Sequence, residues 1–333
     1  MPDEPKKNVV TVGGGTGTFV VLTALKQVPA LRLSAIVSVA DDGGSTGRLR
    51  DAYGFLPLGD ARQALIALSN VDDPAIIRSL FEYRFSKGDV GGHNFGNLFL
   101  TALSDILGSD AKAIKAASAI LRVNGWVVPV SNTPATLVAT LKDGTTLSGE
   151  HVIDEHIVGR SPIDSISSVA SATPHESVVA SDEAKSAIAS ADLIILGPGD
   201  LYASTLANFT VKGLPEAVAA SKARLIYIVN LFTRAGQTEG YGAKQHLDEI
   251  TRYAGRRPDV VLVHAGAIPE EALRRYAAEH EYPVVDDLPK EPRVVRRPFA
   301  DAVIIEKPNG DKTPRSFIRH SPERIAEAVT ALL

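Results

Sequence analysis

The chain has 333 residues and a formal net charge of −4, from 35 Lys and Arg against 39 Asp and Glu, and it contains no cysteine. Its length allows one large domain or two smaller ones, and the lack of cysteine excludes disulfides, cysteine-bound zinc, iron–sulfur clusters and thiol nucleophiles. The small net charge argues against nucleic acid or an anionic membrane as a partner. No apolar run approaches the roughly 20 residues that span a bilayer, so we expect a soluble, cytoplasmic protein.

Short apolar runs alternate with longer helical segments along the chain. Runs rich in β-branched residues predict strands at residues 9–12, 34–39, 193–196, 225–229, 260–264 and 284–285. Helices are predicted at residues 18–27, 60–69, 74–85, 97–107, 110–122, 182–190, 214–221, 243–253, 269–279 and 321–333. This alternation predicts a three-layer α/β fold, with a parallel sheet covered by helices on both faces.

The middle of the chain departs from this alternation. Residues 134–141 and 145–152 are predicted to be the two strands of a hairpin, because Asp143-Gly144 tolerates the positive φ angles of a type I′ turn. We expect residues 129–180 to form a smaller antiparallel or irregular insertion in a single domain of residues 9–333, after a flexible segment of residues 1–8. Arg293, Arg296 and Arg297 are expected on a solvated surface.

Two glycine-rich loops follow predicted strands, GGGTG at residues 13–17 and GPG at residues 197–199. Free backbone N–H groups and the positive end of a helix suit such loops to phosphate, while a tight turn without a ligand is the alternative for each. Val20 stands where the dinucleotide fingerprint has its third glycine. The candidate phosphate-binding residues are Gly13, Gly14, Gly15, Thr16, Gly17, Gly197, Gly199, Ser204 and Thr205.

Polar clusters follow two other strands, at the edge where open α/β sheets bind ligands. Asp41 and Asp42 are adjacent carboxylates that need a cation or hydrogen-bond donors nearby, and Arg48 is suited to clamp a phosphate. Asn230 and Thr233 follow a later strand. An Asp-rich surface turn and an ordinary polar loop are the respective alternatives.

Two further clusters stand at the start of predicted helices. Asp60 is explained on local evidence by capping the helix that follows. His93, Asn94 and Asn97 lie among glycines and favour a ligand-facing edge, with a capped helix as the alternative.

Ser45 lies within a literal Gly-x-Ser-x-Gly match at residues 43–47. A nucleophile elbow requires a sharp strand-to-helix turn and a histidine as base. Two aspartates and two glycines separate Ser45 from its strand, and spacing assigns no histidine to it, so we do not expect a hydrolase triad. His151 and His156 are interpreted as ordinary histidines and not as metal ligands.

Six segments in this order carry a family resemblance. They are GGGTGT, ADDGGSTGRLR, LPLGDARQAL, GGHNFGNLFLTAL, ADLIILGPGDLYAST and IYIVNLFTRAGQTEGYG. Together they resemble the YvcK proteins (gluconeogenesis factor) of the CofD-like family, which includes 2-phospho-L-lactate transferase. The resemblance runs from Val9 to the last helix, and it implies a Rossmann-like sheet, a cytoplasmic bacterial protein and homodimers or larger homo-oligomers.

The family contains two functional classes. The transferase branch implies transfer of a phosphate-bearing group from a nucleotide-activated donor to a deazaflavin hydroxyl, with Mg²⁺ on Asp42 and Asp60. The YvcK branch implies a regulator that binds UDP-N-acetylglucosamine and supports growth and cell-wall synthesis on gluconeogenic carbon sources.

The segments after Asp41 and Gly197 look closer to the YvcK branch. The chain departs from that branch at Asn94-Phe95 and at Asp200, where serine is usual. We therefore expect a nucleotide-sugar-binding regulator, with a Mg²⁺-dependent transferase as the alternative and dinucleotide binding as a weaker third reading. In the first reading the two glycine loops hold the diphosphate, Asp41 and Asp42 face a ribose or a metal, and Asn94, Asn230 and Thr233 contact the base or sugar.

Overall fold

The computed structural model describes residues 6–173, 175–301, 303–304 and 316–333. The strands are β1 (Lys7–Val12), β2 (Leu31–Val37), β3 (Trp126–Pro129), β4 (Ala135–Leu141), β5 (Thr146–Ser148), β6 (Ile163–Ala170), β7 (Leu193–Leu196), β8 (Arg224–Ile228), β9 (Val260–His264) and β10 (Val294–Arg297). The helices are α1 (Gly15–Leu25), α2 (Gly44–Tyr53), α3 (Gly59–Leu68), α4 (Pro74–Glu82), α5 (Phe95–Leu107), α6 (Asp110–Ile120), α7 (Glu150–Ile153), α8 (Asp182–Ala189), α9 (Leu214–Ala220), α10 (Ala243–Ala254), α11 (Glu270–Ala278) and α12 (Pro322–Thr330).

Seven strands form a parallel sheet in the order β10-β9-β8-β7-β1-β2-β3. The apolar runs that predicted these strands are buried on both faces, as in Ile194, Ile195 and Leu196, which have no exposed surface. Helices α1, α3 and α12 pack together, and α8, α9 and α10 form a second group. The predicted α/β class is therefore confirmed.

The strand order reverses between β1 and β7. The chain builds outward from β1 through β2 to β3, and β7 then pairs with the other side of β1. In the register of the sheet, Val12 lies opposite Ile36 on one side and Leu196 on the other. Because ligands of open α/β sheets bind outside the carboxyl ends of the strands at such a reversal, the loops that follow β1, β2 and β7 surround the expected crevice.

The smaller sheet is antiparallel, in the order β5-β4-β6. The predicted hairpin is present, but its second strand ends at Ser148 and residues 150–152 belong to helix α7. The turn is not of the predicted type I′, because Gly144 adopts a φ of +87° and Asp143 does not have a positive φ. In β4 every second side chain is buried, namely Ala135, Leu137, Ala139 and Leu141, so one face of this sheet packs on the protein core. Helix α7 follows β5 directly and contacts the helical turn Leu201–Thr205 beside the crevice.

Several predicted elements need correction. The strand predicted at residues 284–285 is wrong, and the outermost parallel strand is β10, which pairs with β9. This strand was not predicted because two of its four residues are arginines. Arg296 binds Asp286 and Arg297 is exposed, and a strand at the edge of a sheet tolerates such charged side chains. Strand β3 and helix α2 were not predicted, because a proline ends the strand, and four glycines and two arginines lie in or next to the helix. Among the described helices, none has the length and apolar character needed to cross a membrane.

Candidate functional site

The two glycine loops meet at the reversal of the sheet. A Cβ on Gly17 would lie 1.7 Å from the carbonyl oxygen of Pro198, so α1 reaches this position only because residue 17 has no side chain. The side-chain amide of Asn230 donates a 2.7 Å hydrogen bond to the carbonyl of Gly199. Gly17 and Pro198 are about 180 residues apart in sequence, and Gly199 and Asn230 are about 30 residues apart. All three segments thus lie in one wall of the site.

A cleft of about 1410 Å³ extends from these loops across the carboxyl edge of the sheet. Most of the predicted binding residues line it: Gly14, Gly15, Thr16, Gly17, Asp41, Asp60, Asn94, Asn97, Gly199, Ser204, Asn230 and Thr233. The other predicted residues lie behind or beside this lining, and they are Gly13, Asp42, Arg48, His93, Gly197 and Thr205. The structure therefore gathers the six sequence segments around one opening.

The start of α1 is occupied by a carboxylate of the protein itself. The backbone N–H of Gly15 donates a 2.8 Å hydrogen bond to Oδ1 of Asp60, and a Cβ on Gly14 would lie 2.0 Å from Oδ2 of Asp60. Asp60 lies in the first turn of α3, whose start has no side-chain cap. Its carboxylate thus acts across the cleft on α1 and does not cap its own helix, which was the interpretation favoured on local evidence.

A second buried carboxylate, Asp41, faces the same region. It accepts a 2.9 Å hydrogen bond from the Gly43 N–H, and a Cβ on Gly59 would lie 2.3 Å from its Oδ2. Burial and then the charge of Asp41 raise the pKa of Asp60 to about 7, while the hydrogen bond from Gly15 and the charge of Arg62 oppose this shift. Burial also raises the pKa of Asp41. The positive charge of Arg62 therefore does not fully compensate the negative charges of Asp41 and Asp60.

Asp42, predicted with Asp60 as a metal ligand, has other partners. Its Oδ1 lies 2.8 Å from both the backbone nitrogen and Nδ1 of His151, at the start of α7. Its charge still acts on the neighbouring carboxylates: Asp42 raises the pKa of Asp41 and of Glu150 of α7, and Asp41 in turn raises the pKa of Asp60. Burial followed by these neighbouring charges raises the pKa of Glu150 well above its usual value. Glu150 was not predicted as a site residue, because it lay in a predicted strand, and His151 was interpreted as an ordinary histidine.

The donor set near Asp60 is suited to Mg²⁺ shared with a ligand. Mg²⁺ usually binds one or two carboxylates together with phosphate oxygens and water, and Asp41 and Asp60 supply such a pair. In the described part of the chain, no group of three or more His, Asp or Glu side chains could hold a metal ion by itself. A magnesium ion at this position would therefore need oxygens from a bound phosphate.

The wall formed by α2, α3 and α5 is held by a polar chain. Arg62 Nε donates to Asn97 Oδ1 at 2.8 Å, and Asn97 Nδ2 donates to Thr46 Oγ1 at 3.0 Å. Asn94 caps α5 by accepting a 3.3 Å hydrogen bond from the backbone of Asn97. The capped-helix alternative is thus present at Asn94, although both asparagines also border the cleft.

The opposite wall centres on the buried guanidinium of Arg234. It lies 3.1 Å from Oδ1 of Asp154 and 3.1 Å from Oε1 of Glu281. Burial and the charge of Asp200 raise the pKa of Asp154 to about 7, although Arg234 opposes the shift. Asp154, Asp200 and Glu281 all act on the single charge of Arg234, so this wall is acidic. It joins the end of α7, where Asp154 lies, to the loop after β8.

The end of the cleft beyond Asn230 is apolar and aromatic. The rings of Phe232 and Tyr276 stack with centroids 3.6 Å apart and an angle of 14° between their planes. Both line the cleft beside Leu231, Ile318 and His320. An apolar end, where Phe232 and Tyr276 are 8% and 4% exposed, and backbone N–H groups at the other end suit an elongated ligand with a phosphate and a ring.

Fold and site define an α/β protein with a ligand cleft at the reversal of a parallel sheet. The family model described as "2-phospho-L-lactate transferase CofD" matches residues 9–302, and the chain belongs to this CofD family.

Within the family, the chain is similar to curated gluconeogenesis factors. It is 40% identical to the putative gluconeogenesis factor of Nostoc sp. over 96% of this chain and 67% of that one. It is 38% identical to the gluconeogenesis factor of Halalkalibacterium halodurans over 97% and 96% of the two chains, and 37% identical to that of Bacillus subtilis over 100% and 99%. The crystal structure of a UPF0052-family protein from Bacillus halodurans superposes with a TM-score of 0.86 and 36% identity, covering 98% of this chain and 99% of that one.

Proposed function

We propose that this chain is a gluconeogenesis-factor-type regulatory protein that binds a nucleotide sugar, UDP-N-acetylglucosamine, in the cleft. The observation that carries the proposal is the contact of Gly17 with Pro198, which brings two glycine loops together at the sheet reversal. The cleft of about 1410 Å³ exceeds the 300–1,000 Å³ of typical small-molecule pockets and accommodates a ligand of this length.

The two ends of the cleft match the two parts of such a ligand. The diphosphate lies along residues 14–17 and 199–204, where backbone N–H groups and the Ser204 hydroxyl are donors. The base or sugar lies toward Asn230, Phe232 and Tyr276. Because Asp60 already accepts the Gly15 N–H, a diphosphate here meets a negative charge, and Mg²⁺ held by Asp41 and Asp60 would offset it.

The regulatory part of the proposal follows from the relatives named gluconeogenesis factor. In this role the chain acts in the cytoplasm as a homodimer or larger homo-oligomer. Ligand binding reports the supply of nucleotide sugar to carbon metabolism, cell-wall synthesis and cell shape.

Isothermal titration calorimetry tests the binding. We expect one saturable site for UDP-N-acetylglucosamine, with tighter binding in Mg²⁺ than in EDTA. Asn230→Ala removes the hydrogen bond to Gly199 and should weaken binding at least fivefold, whereas Asn70→Ala, on the exposed segment after α3, should not. Absence of heat at millimolar ligand would contradict the proposal.

A second candidate function is transfer of a phospholactyl-type group to a deazaflavin hydroxyl. The buried Asp41–Asp60 pair favours it, because such carboxylates, with Mg²⁺ when bound, hold the phosphates of a nucleotide-activated donor. Incubation with a deazaflavin and a nucleotide-linked phospholactate or phosphoenolpyruvate donor should then give a product detectable by mass spectrometry. Asp41→Asn and Asp60→Asn should abolish that product. Binding of the nucleotide sugar without any turnover would contradict the transferase function and support the regulatory function.

A further inference from the structure

The histidine missing from the Gly-x-Ser-x-Gly segment is supplied by a distant loop. Ser45 Oγ lies 3.2 Å from Nδ1 of His93, which is 48 residues away in sequence. Ser45 is in the first turn of α2, is 3% exposed and lines the cleft. The geometry is that of a nucleophile and its base, which are recognised by a contact of this length.

The hydrogen bonds around Ser45 fix the direction of its proton. The backbone N–H of Asn94 donates to Ser45 Oγ at 3.2 Å, so this oxygen is an acceptor on one side. Its own proton then points to Nδ1 of His93, which requires a neutral imidazole that carries its proton on Nε2. Burial, followed by the charges of Arg48 and Arg84, lowers the pKa of His93 and so favours the neutral ring.

The surroundings of Ser45 favour a phosphorus centre as its electrophile. The charges of Arg48 and Arg84 act on His93, Arg62 and Arg84 line the cleft, and guanidinium groups pair with phosphate oxygens. Helix α2 begins at Gly44, and its N-cap residue Gly43 has no side chain to accept from the first N–H groups of the helix. Positive charge and N–H donors beside a polarised hydroxyl stabilise charge that develops during attack on phosphate.

We propose that Ser45 is a nucleophile, with His93 as its base, toward the phosphorus of a phosphoric anhydride in the cleft. The Ser45 hydroxyl gives its proton to His93 Nδ1 while the Oγ–P bond forms. The bond from phosphorus to the bridging oxygen breaks, and the leaving phosphate departs with the bonding electrons. After His93 has lost this proton to solvent, it takes one from water as the water attacks phosphorus. The Oγ–P bond then breaks and Ser45 recovers a proton from His93, so the net reaction is hydrolysis of the anhydride.

This inference goes beyond ligand binding and does not depend on which nucleotide the cleft takes. It is tested on the full chain with a fluorophosphonate probe, whose fluoride leaves as the Oγ–P bond forms. Intact mass gives the labelling rate between pH 5 and 9, and peptide mass spectrometry gives the labelled residue. Calorimetry with UDP-N-acetylglucosamine is measured separately, so failure of either proposal is visible without the other.

We expect a single label on Ser45, none in Ser45→Ala, and unchanged labelling in Ser86→Ala, which removes another serine of the cleft lining. His93→Gln should slow labelling about 100-fold, within the range of general-base catalysis. In the wild type the rate should rise with pH through the lowered pKa of His93 and level off near neutrality. A folded wild type that does not label at Ser45, a rate without that pH step, or equal labelling of His93→Gln overturns the proposal.

Discussion

The backbone N–H of Gly15 donates a hydrogen bond of 2.8 Å to Oδ1 of Asp60. In a glycine loop that opens a helix, such an N–H is expected to bind the phosphate of a ligand. Here a buried carboxylate of the protein takes that position, and its pKa is raised to about 7. A phosphate that binds at this loop therefore depends on a cation, or on protonation of Asp60, to remove the repulsion.

Asp60→Asn should change the magnesium dependence of ligand binding. The asparagine keeps an oxygen for the Gly15 N–H but removes the charge, so UDP-N-acetylglucosamine should bind about tenfold tighter than to wild type in EDTA, or roughly 1.4 kcal/mol. Mg²⁺ should tighten binding to the wild type and have little effect on the variant. Calorimetry in Mg²⁺ and in EDTA measures both.

The matched control is Asp105→Asn, which removes an exposed carboxylate near the end of α5. It should behave as the wild type in both buffers. If Asp60→Asn keeps the full magnesium dependence, Asp60 is not at the phosphate.

Gly17→Ala should destabilise the protein. A Cβ at this position would lie 1.7 Å from the Pro198 carbonyl oxygen, which is backbone and cannot move aside cheaply. Overpacking of this kind costs about 1–3 kcal/mol. Urea unfolding followed by circular dichroism measures the change in the free energy of unfolding.

Gly199→Ala is the control for the same contact region. Its Cβ would meet Ser204 and Thr205 at 3.4 Å, an ordinary contact, so its stability should remain within about 0.5 kcal/mol of the wild type. Equal stability of the Gly17 and Gly199 variants would show that the two loops are not packed as described.

The sequence was sufficient for the architecture and for the location of the cleft. Apolar runs that are buried on both faces predict parallel strands whatever their order, and ligands lie at the carboxyl ends of such strands. The residues that line the cleft at Gly14–Gly17, Asp41, Gly199 and Asn230 all belong to segments chosen on this ground.

The partners within the cleft could not be predicted, because they depend on tertiary contacts without a local signal. Asp41 and Asp42 are adjacent in sequence, yet one faces Asp60 and the other is held by His151 of α7. Ser45 and His93 meet only because α2 packs against α5. Strand β10 was missed since its sequence, Val-Val-Arg-Arg, has no apolar run, and an edge strand tolerates such charge.

Arg234→Met should be strongly destabilising. The arginine is paired with Asp154 and Glu281, whose side chains are 26% and 5% exposed, and its loss leaves two carboxylates without their cation. Removal of one partner from a buried ion pair costs about 3–5 kcal/mol. The free energy of unfolding at pH 7.5 measures the loss.

Arg257→Met removes a surface arginine that lies 3.1 Å from Glu291 and is 47% exposed. Exposed pairs contribute about 0–1 kcal/mol, so this control should change stability little. Similar losses in the two variants would argue that Arg234 does not hold the acidic wall together.

Stability should fall in mildly acidic solution because of His320. This ring is buried against the Val229 carbonyl, 3.2 Å from Nε2, and burial lowers its pKa to about 4. In the unfolded chain the pKa is near 6.5, so the unfolded state binds a proton that the native state does not. The His320 contribution is therefore fully present above pH 6.5 and is lost as the pH falls toward 4, by roughly 3 kcal/mol at most.

Urea unfolding between pH 7.5 and 4.5 measures this slope. His320→Gln, whose amide can still donate to Val229, should have a flatter pH dependence than the wild type. His175→Gln, which alters an exposed ring, should leave the slope unchanged. If the free energy of unfolding of His320→Gln depends on pH as steeply as that of the wild type, His320 is not the source of the pH dependence.

The most direct measurement is the difference electron density of a crystal soaked in UDP-N-acetylglucosamine and Mg²⁺. We expect density for the diphosphate between residues 14–17 and 199–204, with a metal ion next to Asp41 and Asp60. An ordered ligand elsewhere on the protein, or an empty cleft at a concentration that saturates binding in solution, would contradict this expectation.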